Sequence, residues 1–224
     1  MLSAEEKSKA DSRERIITAT TDLFLEKGFA GTSMSTIAKA SDMTKASLYY
    51  HFSGKEDLFI ACVTHGYAAA LDALTVITAN ASLTAEQKLR AAIDALYETT
   101  ITSPVGRMSP LIAEVSRAFP KVARSFHTEY IEPQRAALWQ IVEEGVAQGV
   151  FARVDQNQFF HLAFGPIVTL SLSREMFATF DDLDAHFPVE DLRHGHTEVL
   201  IGMLRYNDLN FEAALPAIVN ANPE

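Results

Sequence analysis

Residues 33–52, SMSTIAKASDMTKASLYYHF, constrain this chain more than any other stretch. They leave room for two short helices joined by a tight turn. Ile37 and Ala38, then Leu48 and Phe52, stand at helical spacing, and the positions between them are small, polar or basic. Asp42 falls at the break, where a short polar side chain tolerates a left-handed conformation. Thr44 is placed to cap a second helix of about eight residues, a length not stable alone in water. Such a helix must be held by its inner face, and Leu48 and Phe52 supply the grip.

Burying those two side chains turns Thr44, Lys45, Ala46, Ser47, Tyr49, Tyr50 and His51 outward or sideways, a surface with donors, a cation and amphipathic rings but no carboxylate. A DNA major groove accepts that chemistry: Lys, Ser and Thr reach base edges or phosphates, and small Ala46 lets the backbone come close. The pattern T-S-M-x-x-I-A-x-A-x-x-x-T-K-x-S-L-Y-Y-H-F-x-x-K-E-D-L resembles the helix-turn-helix of the tetracycline-repressor (TetR) family of bacterial regulators, over roughly residues 11–60. Asp42 and Ala46 stand where members usually or often carry Gly. An αα-hairpin with ordinary surface residues is the bland alternative, and the number of motif positions in register argues against it.

The resemblance implies a dimer on a palindromic double-stranded DNA operator, with recognition helices in successive major grooves about 34 Å apart. Carried onto this chain, it has Lys45 and Tyr50 sensing bases and Ser47, Tyr49, His51 and Lys55 gripping phosphates. Ser33, Thr44 and Ala46 complete the candidate contact set. It also implies a repressor, released by a small-molecule effector and needing no cofactor.

The overall charge of −10 on its own counts against nucleic-acid binding, since phosphate neutralisation dominates affinity. Its distribution removes the objection. Residues 1–65 hold eight Lys and Arg against nine Asp and Glu, and residues 33–55 hold three Lys against Asp42 alone. A weakly basic face on an acidic body binds DNA locally without coating it. The single Cys62 allows no intramolecular disulfide, and the charged start of the chain does not read as a signal peptide, so a cytoplasmic protein is expected. Residues 156–173 carry no charge and approach the length of a membrane span. Their Gln, Asn and His residues and the Gly165-Pro166 step instead predict a buried or interfacial helix, and no membrane partner.

Read in order, the chain predicts an all-α fold of about nine helices. It divides into a three-helix DNA-binding domain, residues 1–55, and a larger helical ligand-binding and dimerisation domain, residues 56–224. Ser3 to Glu6 has a capping-box pattern before a first firm helix opening at Asp11 or Ser12 and stopping at Gly28. Thr32 is the expected cap of the next helix. Ser53 to Glu56 and Thr84 to Gln87 read as capping boxes, and Lys55 lies in the first turn of a helix about 35 Å or more in length. A long helix over residues 122–148 meets Pro133 as a kink or a restart, Asp155 caps residues 156–177, and Pro188 precedes a last amphipathic helix over 189–206. The segment SPLIAEVSRAFPKVARSFHTEYIEP resembles the AefR-like class of TetR-family C-terminal domains. The family resemblance implies a homodimer through about residues 156–177 and 189–206.

For an effector of apolar or aromatic character the candidate lining residues are Met108, Phe119, Phe126, Tyr130, Trp139, Phe160 and Phe164, with His127 and His161 as orienting polar groups. Ordinary core packing is the competing reading for each aromatic. His194 and His196, with His186 nearby, prompt a metal site, but i and i+2 side chains on a helix diverge and no metal is expected. No nucleophile elbow, phosphate loop or metalloprotease motif occurs, so no enzyme is expected. A dimeric scaffold that ignores DNA remains the other alternative.

Overall fold

The computed structural model describes residues 4–205. Helix α1 (Ala4–Gly31) opens the chain, α2 (Met34–Ala40) and α3 (Lys45–His51) form the helix-turn-helix, and α4 (Lys55–Ala79) leads into the second half. The expected start at Asp11 or Ser12 does not occur, because residues 4–10 contain no Gly or Pro and the helix runs through. Ser3, the first residue of the capping pattern, lies outside the described residues. Gly28 does end the regular helix, at φ 69°, a conformation that favours glycine. Thr32 is not the cap of α2. It is buried, and its hydroxyl donates to the carbonyls of Gly28 at 2.8 Å and Leu23 at 3.2 Å, closing the end of α1. Ser33 takes the capping role one residue later, accepting from the Thr36 amide at 3.1 Å. Asp42 adopts φ 54° at the turn, as its position predicts.

Helix α4 starts one residue later than the Ser53 capping pattern suggests. Gly54 is its cap, so the third helical position falls on Asp57, whose carboxylate accepts the Ser53 amide at 3.1 Å. The helix has 25 residues, about 37 Å, and joins two cores. In the first, Leu58, Phe59 and Cys62 pack with Ile16, Ile17 and Phe24 of α1, and Phe29 bridges Phe59 and Phe119 with ring centroids 5.4 Å from each. That core also takes in Val105, Met108, Ile112 and Tyr130. In the second, Leu74 joins residues of the helices that follow. By length and composition α4 is apolar enough to cross a membrane, and Leu58, Phe59, Cys62, Tyr67 and Leu74 on it are buried in these cores.

The second half contains α5 (Ala85–Tyr97), α6 (Ser109–Ala118), α7 (Pro120–Phe126), α8 (Glu132–Ala147), α9 (Gln156–Met176), the single turn α10 (Leu183–His186) and α11 (Val189–Arg205). The Thr84 box forms as expected: Thr84 accepts from the Gln87 amide at 3.2 Å, and the Gln87 side chain accepts from the Thr84 amide at 2.9 Å. Helix α5 runs on into a π turn, Glu98–Thr102, before a 3-10 turn at Pro104–Met108. A second π turn, His127–Ile131, joins α7 to α8 and precedes Pro133, which has no amide for the regular ladder. Counting α7 through α8 as one rod and setting aside α10, nine helices stand among the described residues. Asp155 caps α9 through the Gln158 amide at 2.9 Å. Tyr206 and the tail beyond it lie outside the described residues.

Within α9, Pro166 deprives the Leu162 carbonyl of its ladder partner. His196 of α11 supplies a replacement, with Nε2 at 3.0 Å from that carbonyl. Its Nδ1 then accepts the Tyr97 hydroxyl of α5 at 3.1 Å. One neutral imidazole thus ties three helices together.

Candidate nucleic-acid interface and effector cavity

Helix α3 is positioned from within and at its start. Leu48 and Phe52 are buried in the first core, and Thr44 caps the helix by accepting the Ser47 amide at 3.1 Å. Lys45 and Ala46 are exposed, as are Tyr49 at 53% and Tyr50 at 71%. Ser47 is half-buried, its hydroxyl 3.8 Å from the Met43 sulfur. His51 is half-buried with its ring edge-on to Tyr50, centroids 5.3 Å apart. Ser33 is exposed, but its hydroxyl already serves the α2 cap and meets the Thr36 hydroxyl at 2.9 Å.

Lys55 departs from its expected role. Its ammonium donates to the Phe29 carbonyl at 2.7 Å and the Thr32 carbonyl at 3.0 Å, and sits 4.2 Å from the centre of the Phe29 ring. The charge is turned inward, onto carbonyls at the exit of α1, rather than held out for a phosphate. The cations beside α3 come instead from α1. Lys9 Nζ lies 4.8 Å from the Tyr50 ring centre and the Arg13 guanidinium 5.1 Å from that of Phe52. A helix starting at Asp11 or Ser12 leaves Lys9 outside it, and Arg13 carries no mark in the sequence that places it beside α3. Had α1 been extended to Ala4, their i, i+4 spacing would have put them on one face. Partial burial, then Lys9 and Arg13, hold the His51 pKa below its ordinary value.

The nine candidate effector residues do not share one cavity. Phe126, Tyr130 and Phe164 do, lining a half-open pocket of about 250 Å³ between α4 to α9 and the two π turns. Met108 is fully buried in the first core, and Phe119 packs on Phe29. Trp139 and Phe160 pack together in the second core, Arg135 lies over Phe160 at 4.4 Å, and the indole donates to Glu143 at 2.8 Å. His161 is exposed, and His127 faces Glu132 at 3.6 Å on the outside. The cavity also takes in Tyr67, an inward position of α4, and the polar Ser109, Thr100 and Gln134, which aromatic periodicity does not single out. Tyr67 meets the Ser109 hydroxyl at 3.3 Å and packs against Tyr130 with centroids 4.1 Å apart and ring planes tilted by 38°. Burial raises the pKa of both phenols, so each is a neutral hydroxyl at pH 7.

Among the described residues no cluster of His, Cys, Asp and Glu is arranged to hold a metal ion. His196 has both nitrogens engaged, and burial pulls its pKa below the ordinary value.

Residues 16–62 match the family model described as bacterial regulatory proteins, tetR family. Among curated relatives, the biofilm operon icaADBC HTH-type negative transcriptional regulator IcaR of Staphylococcus aureus is 36% identical over 86 residues, 38% of this chain and 42% of that protein. The HTH-type transcriptional activator FasR of Mycolicibacterium smegmatis is 26% identical over 152 residues, 66% of this chain and 60% of that protein. The matches span between 30% and 60% of the length of the first curated relatives. Among solved structures, the transcriptional regulator FadR from Bacillus subtilis in complex with stearoyl-CoA superposes with a TM-score of 0.69 at 20% identity. That superposition covers 85% of this chain and 98% of FadR, and at this identity it speaks for the fold.

Proposed function

We propose that this chain, a member of the tetR family of bacterial regulatory proteins by its residues 16–62, is a dimeric, sequence-specific DNA-binding regulator that represses transcription until a small molecule occupies its second domain. The observation that carries the reading is α3: Lys45, Tyr49 and Tyr50 exposed on a helix held rigidly by Leu48 and Phe52, with Lys9 and Arg13 beside it. Lys45 and Tyr50 read bases, while Ser47, Tyr49 and His51 meet phosphates. Lys9 and Arg13 add the cationic flank that Lys55 does not provide. DNA as partner places the protein's work in the cytoplasm.

Two copies associate through α9 and α11. Leu162, Leu172 and Met176 on α9 and Leu192 and Val199 on α11 are large apolar side chains left in water. Gly165, Gly195 and Gly202 lie on the same two helices with open space where a side chain would stand, which lets a second pair of helices come close. An apolar, small-residue face of this kind supports a helix-to-helix interface. Helix α4 is the mechanical link: it carries Leu58 and Phe59 in the core of the reading head and Tyr67 in the cavity wall. An occupant that prefers one setting of α4 changes the separation of the two heads, and one that binds both settings equally changes nothing.

Selection of bound sequences from a random duplex pool tests the reading. An enriched palindrome is expected. Lys45→Ala shifts its sequence, whereas Tyr49→Phe weakens all sites alike. Equal, sequence-blind losses from both variants sink the assignment of roles, and no enrichment at low salt favours the scaffold alternative. IcaR is named a negative regulator and FasR an activator, so repression is tested separately, by a promoter carrying the selected palindrome: its output falls when the protein is supplied.

A further inference from the structure

The pocket between α4 and α9 has an open side, and the residues on its rim fix where that side faces. Among the described residues that line it, Tyr67, Ile112, Tyr130 and Ile167 are buried, whereas Ala113 of α6 and Val168 of α9 are exposed. The mouth therefore lies between α6 and α9. Val168 is 55% exposed although it lines the pocket. An apolar guest held by this chain alone would keep one side in water, while sites for small molecules bury about 70–90% of the guest.

Val168 belongs to a second surface as well. On α9, Gly165, Thr169, Leu172 and Met176 are exposed at helical spacing and share one face. Val168 stands on one margin of that face, beside the pocket residue Phe164, and Leu162 and Pro166 stand on the other, where the groove with α11 begins.

We propose that the missing wall is a second copy of this chain: seated on α9 and α11, it covers Val168 and closes the mouth, so the pocket is complete only in the dimer. The inference rests on the dimer through α9 and α11 and adds that the partner is part of the pocket. Three observations favour a second copy as the occupant. Residues 156–173 contain no Asp, Glu, Lys or Arg, so a charged partner gains nothing from this stretch of α9, whereas an equally uncharged copy strands no charge against it. The two helices carry apolar projections, among them Leu172 and Val199, together with notches at Gly165 and Gly195, and a patch that meets itself across a two-fold axis needs both. Area is the third. Helices of 21 and 17 residues are about 31 and 25 Å long and about 10 Å wide, so side by side they present about 550 Å² in projection. Their corrugated accessible surface is larger and approaches the about 800 Å² per partner of a stable complex. By linkage, whatever fills a pocket closed by both chains strengthens their association, and association strengthens its binding by the same factor.

Thiol reactivity tests the closure without a guest. Cys62 is 1% exposed and burial pushes its pKa up to about 12, so the native cysteine stays silent and an introduced one reports alone. In the full chain, Val168→Cys and Ala113→Cys probe the two rims, and Val76→Cys, at a 69% exposed site on α4, is the reference. Rates with a small aromatic disulfide are measured above and below the concentration at which sedimentation shows the dimer dissociating, and again with Val199→Asp added. Dilution supplies the monomer even where that variant does not fold. Both rim cysteines are expected to react about tenfold or more slowly in the dimer than in the monomer, and Val76→Cys equally in the two. Protection of Val168→Cys alone would mean an interface beside an open mouth, and overturns the closure. Slow reaction of both rims in the monomer overturns it too, since the chain then covers the mouth by itself. Equal rates for the rims in the two states, with a dimer that Val199→Asp dissociates, overturn the closure and keep the α9 and α11 interface. A dimer that survives Val199→Asp and leaves the rims as reactive as in the diluted monomer removes both, by placing the interface elsewhere.

Discussion

Lys55 and Lys9 divide the work that a single lysine was expected to do. Lys55 closes the exit of α1 with two charge-assisted bonds, each of a kind worth about 1.5–3 kcal/mol, so Lys55→Met lowers the thermal midpoint and leaves the salt dependence of operator binding unchanged. Lys9→Ala does the reverse: the midpoint stays, and the slope of log affinity against log salt becomes shallower by about 1. Thermal melts and operator titrations at several salt concentrations check both. His196 gives a pH prediction. Burial lowers its folded pKa below 6.5, so its stabilising contribution is present above 6.5 and is lost as pH falls below that value through the lowered folded pKa. His196→Phe flattens the melting midpoint over that acid window. The imidazole matters because of Pro166: in a Pro166→Ala background the Leu162 carbonyl regains its ladder amide, and the cost of losing His196 shrinks.

At the scale of elements, Gly66 shows what α4 requires to connect two cores. A methyl group there would collide with the Val105 side chain of the Pro104–Met108 turn. Gly66→Ala is expected to destabilise by about 1–3 kcal/mol in urea denaturation, and Val105→Ala in the same chain to cost less than the two single changes together, because it removes the nearest clashing methyl. Such packing was not legible in the sequence, whereas local chemistry was. The caps at Thr44, Thr84 and Asp155 and the turn at Asp42 involve residues at most three apart, and they form as their spacing predicts. Ser33 in place of Thr32, and Asp57 in place of Glu56, are shifts of one position, where neighbouring residues offer the same chemistry and tertiary packing chooses between them. The two π turns left no pattern to find in apolar periodicity. Phe126, Tyr130 and Phe164 reach the cavity, while Met108, Trp139 and Phe160 fill cores, because helical spacing says which residues are inward but not which inward face meets a void.

For the whole molecule, the proposed reading of a palindrome demands two heads at a fixed separation, and the exposed apolar faces of α9 and α11 are the surfaces proposed to fix it. Val199 is 70% exposed on α11, one turn beyond Gly195, and needs nothing from its own chain. Val199→Asp therefore leaves the fold within about 0.5 kcal/mol, the usual range for surface substitutions. In the proposed dimer the new carboxylate enters an apolar interface, so sedimentation is expected to report monomers at concentrations where the wild-type chain is dimeric. The consequence for DNA follows from effective concentration. Each monomer retains its affinity for an isolated half-site, since α3 is untouched, but the second half-site is no longer held beside the first, and affinity for the full palindrome falls by about a hundredfold or more. Unchanged dimerisation with Val199→Asp would place the interface elsewhere. Monomers that still bound the full palindrome at wild-type affinity would mean that the heads are coupled through the DNA rather than through α9 and α11.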